Sequence, residues 1–175
     1  MMTTFTAQVV RHDARRVVDF PLHPLSQLLR SSDLEAAFSL FNVEIPAMAP
    51  GAPPHTHTFE DEVYYVLEGE MTFLLGNYVE TAKKGSTVIL PRGIAHATWN
   101  ESGEPATALT IVSQHSRFEG FFDDVVERIR SRGIIEPQHM AAVVAESGPD
   151  YGVTIDMSLL PERAFPIFGI PAVDA

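Results

Sequence analysis

His55-Thr56-His57-Thr58-Phe59-Glu60-Asp61-Glu62 is the stretch on which the reading of this chain turns. In extended backbone, alternate side chains share a face, so His55 and His57 point one way and Thr56 and Thr58 the other. Two neighbouring imidazoles inside a protein pack poorly, because each has two nitrogens that need partners once buried. A metal ion supplies a partner to both. Glu62 lies just beyond, where a carboxylate would offset part of a cation's charge. Glu60 and Asp61 compete with it: Asp61 is the alternative ligand, and both otherwise read as solvated loop acids.

A second group follows downstream: Gly85, Pro91, Gly93, His96 and Asn100. Gly85 permits a tight turn ahead of a buried strand. Pro91 and Gly93 end that strand and set a bend, so His96 can project back into the same interior.

Around these groups the chain reads as β. Residues 37–45 alternate, with Phe41, Val43 and Ile45 on one face and Asn42 and Glu44 on the other. Short runs at 63–67, 71–75, 87–90 and 108–113 are stopped by Glu68-Gly69, Gly76-Asn77 and Pro91-Arg92-Gly93. Short strands at this spacing predict a sandwich or barrel. Phe118, Phe121, Phe122, Val125 and Ile129 then recur at helical spacing. Ser116 and Glu119 form a capping box ahead of them, and Gly133 follows as a C-cap. This predicts a helix over 117–132. A second begins at Pro137 and ends near Glu146, with Met140, Val143 and Val144 on its buried side. Residues 26–30 read as a turn of helix, and the Pro-rich tail from Leu160 as extended over the surface. The expected organisation is an N-terminal extension over 1–34, a barrel over 35–116, and a helical extension with its tail over 117–175.

The chain has 175 residues, 23 acids against 12 bases and a net charge of -11. So acidic a surface repels phosphate backbones and anionic lipid, so neither nucleic acid nor membrane is an expected partner. Arg11, Arg15 and Arg16 read as a solvated face. There is no cysteine, which excludes disulfides, thiolate metal sites and a thiol nucleophile. No apolar run approaches the roughly 20 residues of a membrane helix. The first 16 residues lack a signal-peptide layout, so the expected location is cytoplasmic.

The two groups together resemble the paired motifs of the cupin superfamily. The first motif runs through H-x-H to a glutamate and a glycine, matched by His55, His57, Glu62 and Gly69. The second runs from a glycine through P-x-G to a histidine and an asparagine, matched by Gly85, Pro91, Gly93, His96 and Asn100. One departure is that Gly51 stands nearer to His55 than the usual leading glycine. The resemblance implies a mainly β fold, a jelly-roll barrel with a short C-terminal helical extension. It also implies one divalent metal (Fe, Ni, Mn, Co, Cu or Zn) held by His55, His57, Glu62 and His96. The stretch 117–122 is similar to the helical extension of single-domain bacterial cupins resembling quercetin 2,3-dioxygenases.

That kinship implies a metal-dependent dioxygenase acting on a small aromatic or enolic molecule, with Glu62 as the catalytic base. Tyr64, Phe41, Phe73, Trp99 and Asn100 are candidate substrate contacts, against the plainer reading of core or turn residues. A non-redox isomerase, cyclase or lyase would use the same ligands, and a ligand-binding barrel without catalysis is the third reading. Kinship also implies a homodimer paired through N-terminal strands.

Overall fold

The computed structural model describes residues 8–18, 25–33, 38–113, 118–134 and 137–171, without the side chains of 137, 138, 140 and 141. Ser116 of the expected capping box and the side chain of Met140 lie outside the described residues. β1 (Arg16–Val18), β2 (Leu25–Leu29), β3 (Phe38–Ile45), β4 (Ala49–Pro50) and β5 (His55–His57) come first. β6 (Glu62–Glu68), β7 (Glu70–Leu75), β8 (Tyr78–Lys83), β9 (Thr87–Leu90), β10 (His96–Asn100) and β11 (Ala106–Ser113) follow. α1 (Phe118–Arg132), α2 (Pro137–Ser147) and β12 (Val153–Ile155) come last.

The strands form two antiparallel sheets, β1-β2-β3-β11-β6-β9 and β12-β5-β10-β7-β8, with β4 added on β10. This is the expected jelly roll. Alternation places Tyr64 and Val66 of β6 inside and Tyr65 outside. The chain changes sheet at Gly69, where φ is +70° and a Cβ would stand 2.5 Å from the Pro105 carbonyl oxygen. No other residue fits there without displacing backbone. Gly76-Asn77 closes the β7–β8 hairpin, with Leu75 opposite Tyr78.

Two expectations fail and a third holds only in part. Residues 26–30 are not helical: β2 pairs with β3, setting Leu25 against Val43 and Gln27 against Phe41. Cross-strand packing of that face overrides the weak local preference. The C-terminal tail does not lie extended over the surface; it folds into short 3-10 turns at Met157–Leu159 and Glu162–Ala164. Leu160 and Ala164 are buried with Trp99, Leu74 and Ala97 in a second apolar cluster on the outer face of β10 and β7. The basic cluster is solvated only in part: Arg11 is exposed, but Arg15 and Arg16 are half-buried, Arg16 donating to the Gln27 side chain at 2.6 Å and pairing with Asp123 of α1, and Arg15 lying 3.9 Å from Glu44.

The helical extension matches its expected bounds within a residue, and Phe118, Phe121, Val125 and Ile129 form the buried stripe of α1. Glu119 accepts from Ser31 N at 2.8 Å, so its carboxylate ties α1 to the chain that follows β2. Glu146 of α2 accepts from Arg128 at 2.9 Å and Arg132 at 2.7 Å, fastening the two helices. No helix among the described residues is long and apolar enough to cross a membrane.

Candidate metal centre

β5 presents His55 and His57 on its inner face. β10 runs antiparallel beside it with His96 directly opposite His55. Glu62 opens β6 in the facing sheet. Residues from both sheets therefore meet: His55 Nε2 lies 3.2 Å from His57 Nε2, His57 Nε2 3.4 Å from Glu62 Oε1, and His96 Nε2 3.5 Å from Glu62 Oε2. One donor atom from each of the four falls within 4.8 Å of every other. All four residues are buried.

The opposite ring nitrogens face acceptors. His55 Nδ1 donates to the Pro53 carbonyl at 2.7 Å, and His96 Nδ1 to that of Ile94 at 3.0 Å. His57 Nδ1 lies 3.3 Å from Glu60 Oε2. Such outer partners fix the tautomer and turn each Nε2 toward the centre. The Gly93 N–H donates to the His57 carbonyl at 2.8 Å, tying the bend before His96 to the strand of the other two histidines.

Glu60 overturns its reading as a solvated loop acid: it is 1% exposed and supports His57. Its separation of three residues from His57 was the available signal, but sequence does not reveal whether a loop carboxylate turns inward. Asp61 faces the other way and grips Arg92 at 3.0 and 2.6 Å, which removes it as a ligand. Gly51 resolves the motif's departure: a Cβ there would lie 2.7 Å from Ile45 Cδ1 and 2.8 Å from the Thr98 carbonyl oxygen. The leading loop still needs a glycine, displaced along the chain.

The electrostatics suit a cation. Burial, then the neighbouring His96 and His57, push His55 down to about 3, so it is neutral and a free donor at ordinary pH. For His57 burial acts the same way, but Glu62 and Glu60 outweigh it and raise its basicity. Burial alone would raise the Glu62 carboxyl; His57 and His96 reverse this and hold it ionised. His96 Nε2 is buried and faces Glu62 Oε2 at 3.5 Å, too long for a good hydrogen bond. A loosely held imidazole nitrogen beside a neutral imidazole and a carboxylate is a donor set that a divalent transition metal completes.

The cluster borders a cavity of ≈ 80 Å³ between the sheets and the helical extension. Glu62, His55, Tyr64 and Thr110 supply its polar edges; Phe41, Phe118, Phe121 and Phe122 supply much of its wall. No lysine or arginine is among the described residues lining it. The Phe118 ring stands edge-on to His57 at 4.8 Å, and Phe122 to Phe41 at 5.5 Å.

Of the candidate substrate contacts, Tyr64 and Phe41 line this cavity. The other three do not. Phe73 packs edge-on to Tyr64 at 5.3 Å within the core. Trp99 has the opposite parity to His96 on β10 and lies beneath the C-terminal segment, its Nε1 donating to Glu101 at 3.0 Å. Asn100 organises a turn: Nδ2 donates to the Ile45 and Glu104 carbonyls at 3.2 and 2.7 Å, while Oδ1 accepts from Ser102 N at 2.9 Å.

Fold and site together define a two-sheet jelly-roll barrel with a candidate divalent-metal centre. The cupin domain family model matches residues 41–112, which include all four candidate ligands. Germin-like protein subfamily 2 member 2 of Arabidopsis thaliana is 41% identical over 69 residues, 35% of this chain and 32% of that protein. The chain thus spans about a third of the length of the curated relatives it matches. The polyketide cyclase RemF from Streptomyces resistomycificus superposes with a TM-score of 0.51 at 26% identity, covering 62% of this chain and 80% of that one. A predicted oxalate decarboxylase from Thermotoga maritima superposes with a TM-score of 0.54 at 19% identity, covering 62% of this chain and 100% of that one, a likeness of fold alone.

Proposed function

We propose that this protein is a metal-dependent dioxygenase of quercetinase-like type, acting on a small, uncharged aromatic or enolic molecule. The observation that carries the proposal is the juxtaposition of the ligand set with an aromatic-walled cavity lined, among the described residues, by no lysine or arginine. A carboxylated or phosphorylated substrate would meet the charge of Glu62, with no lysine or arginine among the described lining residues to offset it. A bound divalent metal would supply Lewis acidity toward a substrate oxygen and, if redox-active, a route for electrons. The chain's own part is narrower. Glu62 borders both the ligand cluster and the cavity, so its carboxylate can take the proton of an incoming hydroxyl. Phe118, Phe121 and Phe122 keep water from that exchange.

A non-redox cyclase or isomerase is the second reading, favoured by the structural likeness to RemF, whose name states a cyclase. Elemental analysis of protein purified without added metal, followed by oxygen-uptake assays on flavonols and polyphenols, separates the two. Uptake matched to substrate loss supports the dioxygenase; turnover without uptake supports the cyclase. Glu62→Gln is expected to retain metal within about tenfold while lowering turnover by 10²–10⁴-fold, on the order expected for loss of a general base. Surviving turnover removes Glu62 as the base.

A further inference from the structure

We infer that Thr110, with Tyr64, forms a hydrogen-bonding subsite that recognises a hydroxyl or carbonyl on the substrate at a point separate from the metal. The inference rests on the reading of the cavity as the ligand site.

Thr110 lies opposite Tyr64 across β11 and β6, and opposite Phe41 across β11 and β3. Directly paired positions share a face, so all three belong to one interior rung. Each is buried, each lines the cavity, and Thr110 is 3% exposed. Its Oγ1 is buried and meets only the Tyr64 hydroxyl, in a geometry too poor for an ordinary hydrogen bond among the described residues. A hydroxyl left in that state costs free energy that an isosteric valine at the same position would not. The neighbours along the inner face of β11, Ala108 and Val112, are apolar. One hydroxyl placed among them, with a second from Tyr64 beside it, forms a polar spot on an otherwise apolar wall.

The spot can donate or accept, which suits an uncharged hydroxyl or carbonyl. An anionic substituent is disfavoured, since no lysine or arginine is among the described lining residues and Glu62 is near. The metal-directed groups His55 and Glu62 lie farther along the same cavity. A substrate held at both places would be fixed in orientation as well as position.

Phenol and toluene have nearly the same shape and differ in one hydrogen-bonding group. Their binding to the full chain, metal-free and zinc-loaded, can be measured calorimetrically in the unaltered protein and in Phe122→Ala, which enlarges the cavity. The expected result is that Thr110→Val lowers the phenol-to-toluene affinity ratio about tenfold, while Thr110→Ser leaves it within about twofold. Tyr64→Phe lowers the ratio less and carries the comparison should the valine variant not fold. An unchanged ratio in Thr110→Val and Tyr64→Phe overturns the subsite, as it would if a trapped water satisfied Thr110. Failure of both probes to bind Phe122→Ala also overturns it. A loss of metal or of oxygen uptake would leave the metal-free ratio untouched, so this inference and the dioxygenase reading fail separately.

Discussion

Glu60 shows how one side chain can matter to a metal centre without touching it. Its carboxylate faces His57 Nδ1 from a fully buried position. Removing such an outer partner ordinarily lowers metal affinity by about 10- to 100-fold. Glu60→Gln, which keeps an acceptor but loses the charge, should fall at the lower end of that range and Glu60→Ala at the upper end, in competition with a chromophoric chelator. Equal affinity in all three proteins would show that His57 is oriented by its strand alone. The four candidate ligands were readable because their spacing is a linear property of the chain. Glu60 was not, because burial of a loop carboxylate depends on how the loop closes over β5.

At the scale of elements, the two C-terminal helices are joined by charge at their exposed faces, while Phe118 and Phe121 of α1 and Val143 and Val144 of α2 share one apolar core. Hydrogen bonds from Arg132, with Arg128 adding to them, hold the Glu146 carboxyl down at about 2 against an ordinary 4.5. A carboxyl depressed by folding contributes stability that is full above 4.5 and lost as pH falls toward 2. Because this clasp is solvent-exposed, its share is small and salt-sensitive. Glu146→Gln should therefore lower the urea midpoint slightly at neutral pH and leave a shallower acid limb, the two proteins converging as pH falls toward 2. An unaltered limb would mean the clasp contributes nothing.

α1 also closes the cavity. A dry cavity of about 150 Å³ accommodates benzene, so a ring entering the ≈ 80 Å³ space requires the phenylalanines of α1 to move. Sequence periodicity located α1 and α2 within a residue or so, since an apolar stripe at helical spacing is visible in the chain itself. It missed β10 as a strand, and with it the placement of Trp99. Counting by twos from His96 sends Trp99 to the far face, and His96, Thr98 and Asn100 do alternate with Ala97 and Trp99, but here both faces are buried and the polar one looks inward, the reverse of the usual pattern. It also missed β8, whose Tyr78–Lys83 run mixes charges with apolar residues, and β2, which the β3 pairing dictates.

For the whole molecule, the decisive feature is that the ligand cluster spans both sheets, three histidines from one and the glutamate from the other. Metal bound there would cross-link the two layers and would bind no unfolded form as well. At a thousandfold excess over its dissociation constant such a ligand adds about 4 kcal/mol, which for a chain of this size raises the thermal midpoint by on the order of 10 °C. Differential scanning calorimetry with and without a chelator measures it, and identical midpoints would show that the four side chains hold no metal. The outer cluster contributes differently. Trp99→Ala should cost about 3–5 kcal/mol through the cavity it leaves, yet metal content per folded molecule should not change, because the indole faces away from His96.

The chain contains a single tryptophan, and it sits under the C-terminal segment, edge-on to Phe168 at 6.5 Å. Intrinsic fluorescence is therefore a report on one event, the docking of that segment onto the back of β10. Proteolytic clipping beyond residue 159 should move the emission to longer wavelength by admitting water to the indole. A colourless guest occupying the interior should leave the spectrum where it was, so the protein carries a dye that watches its outer wrapping and ignores its contents.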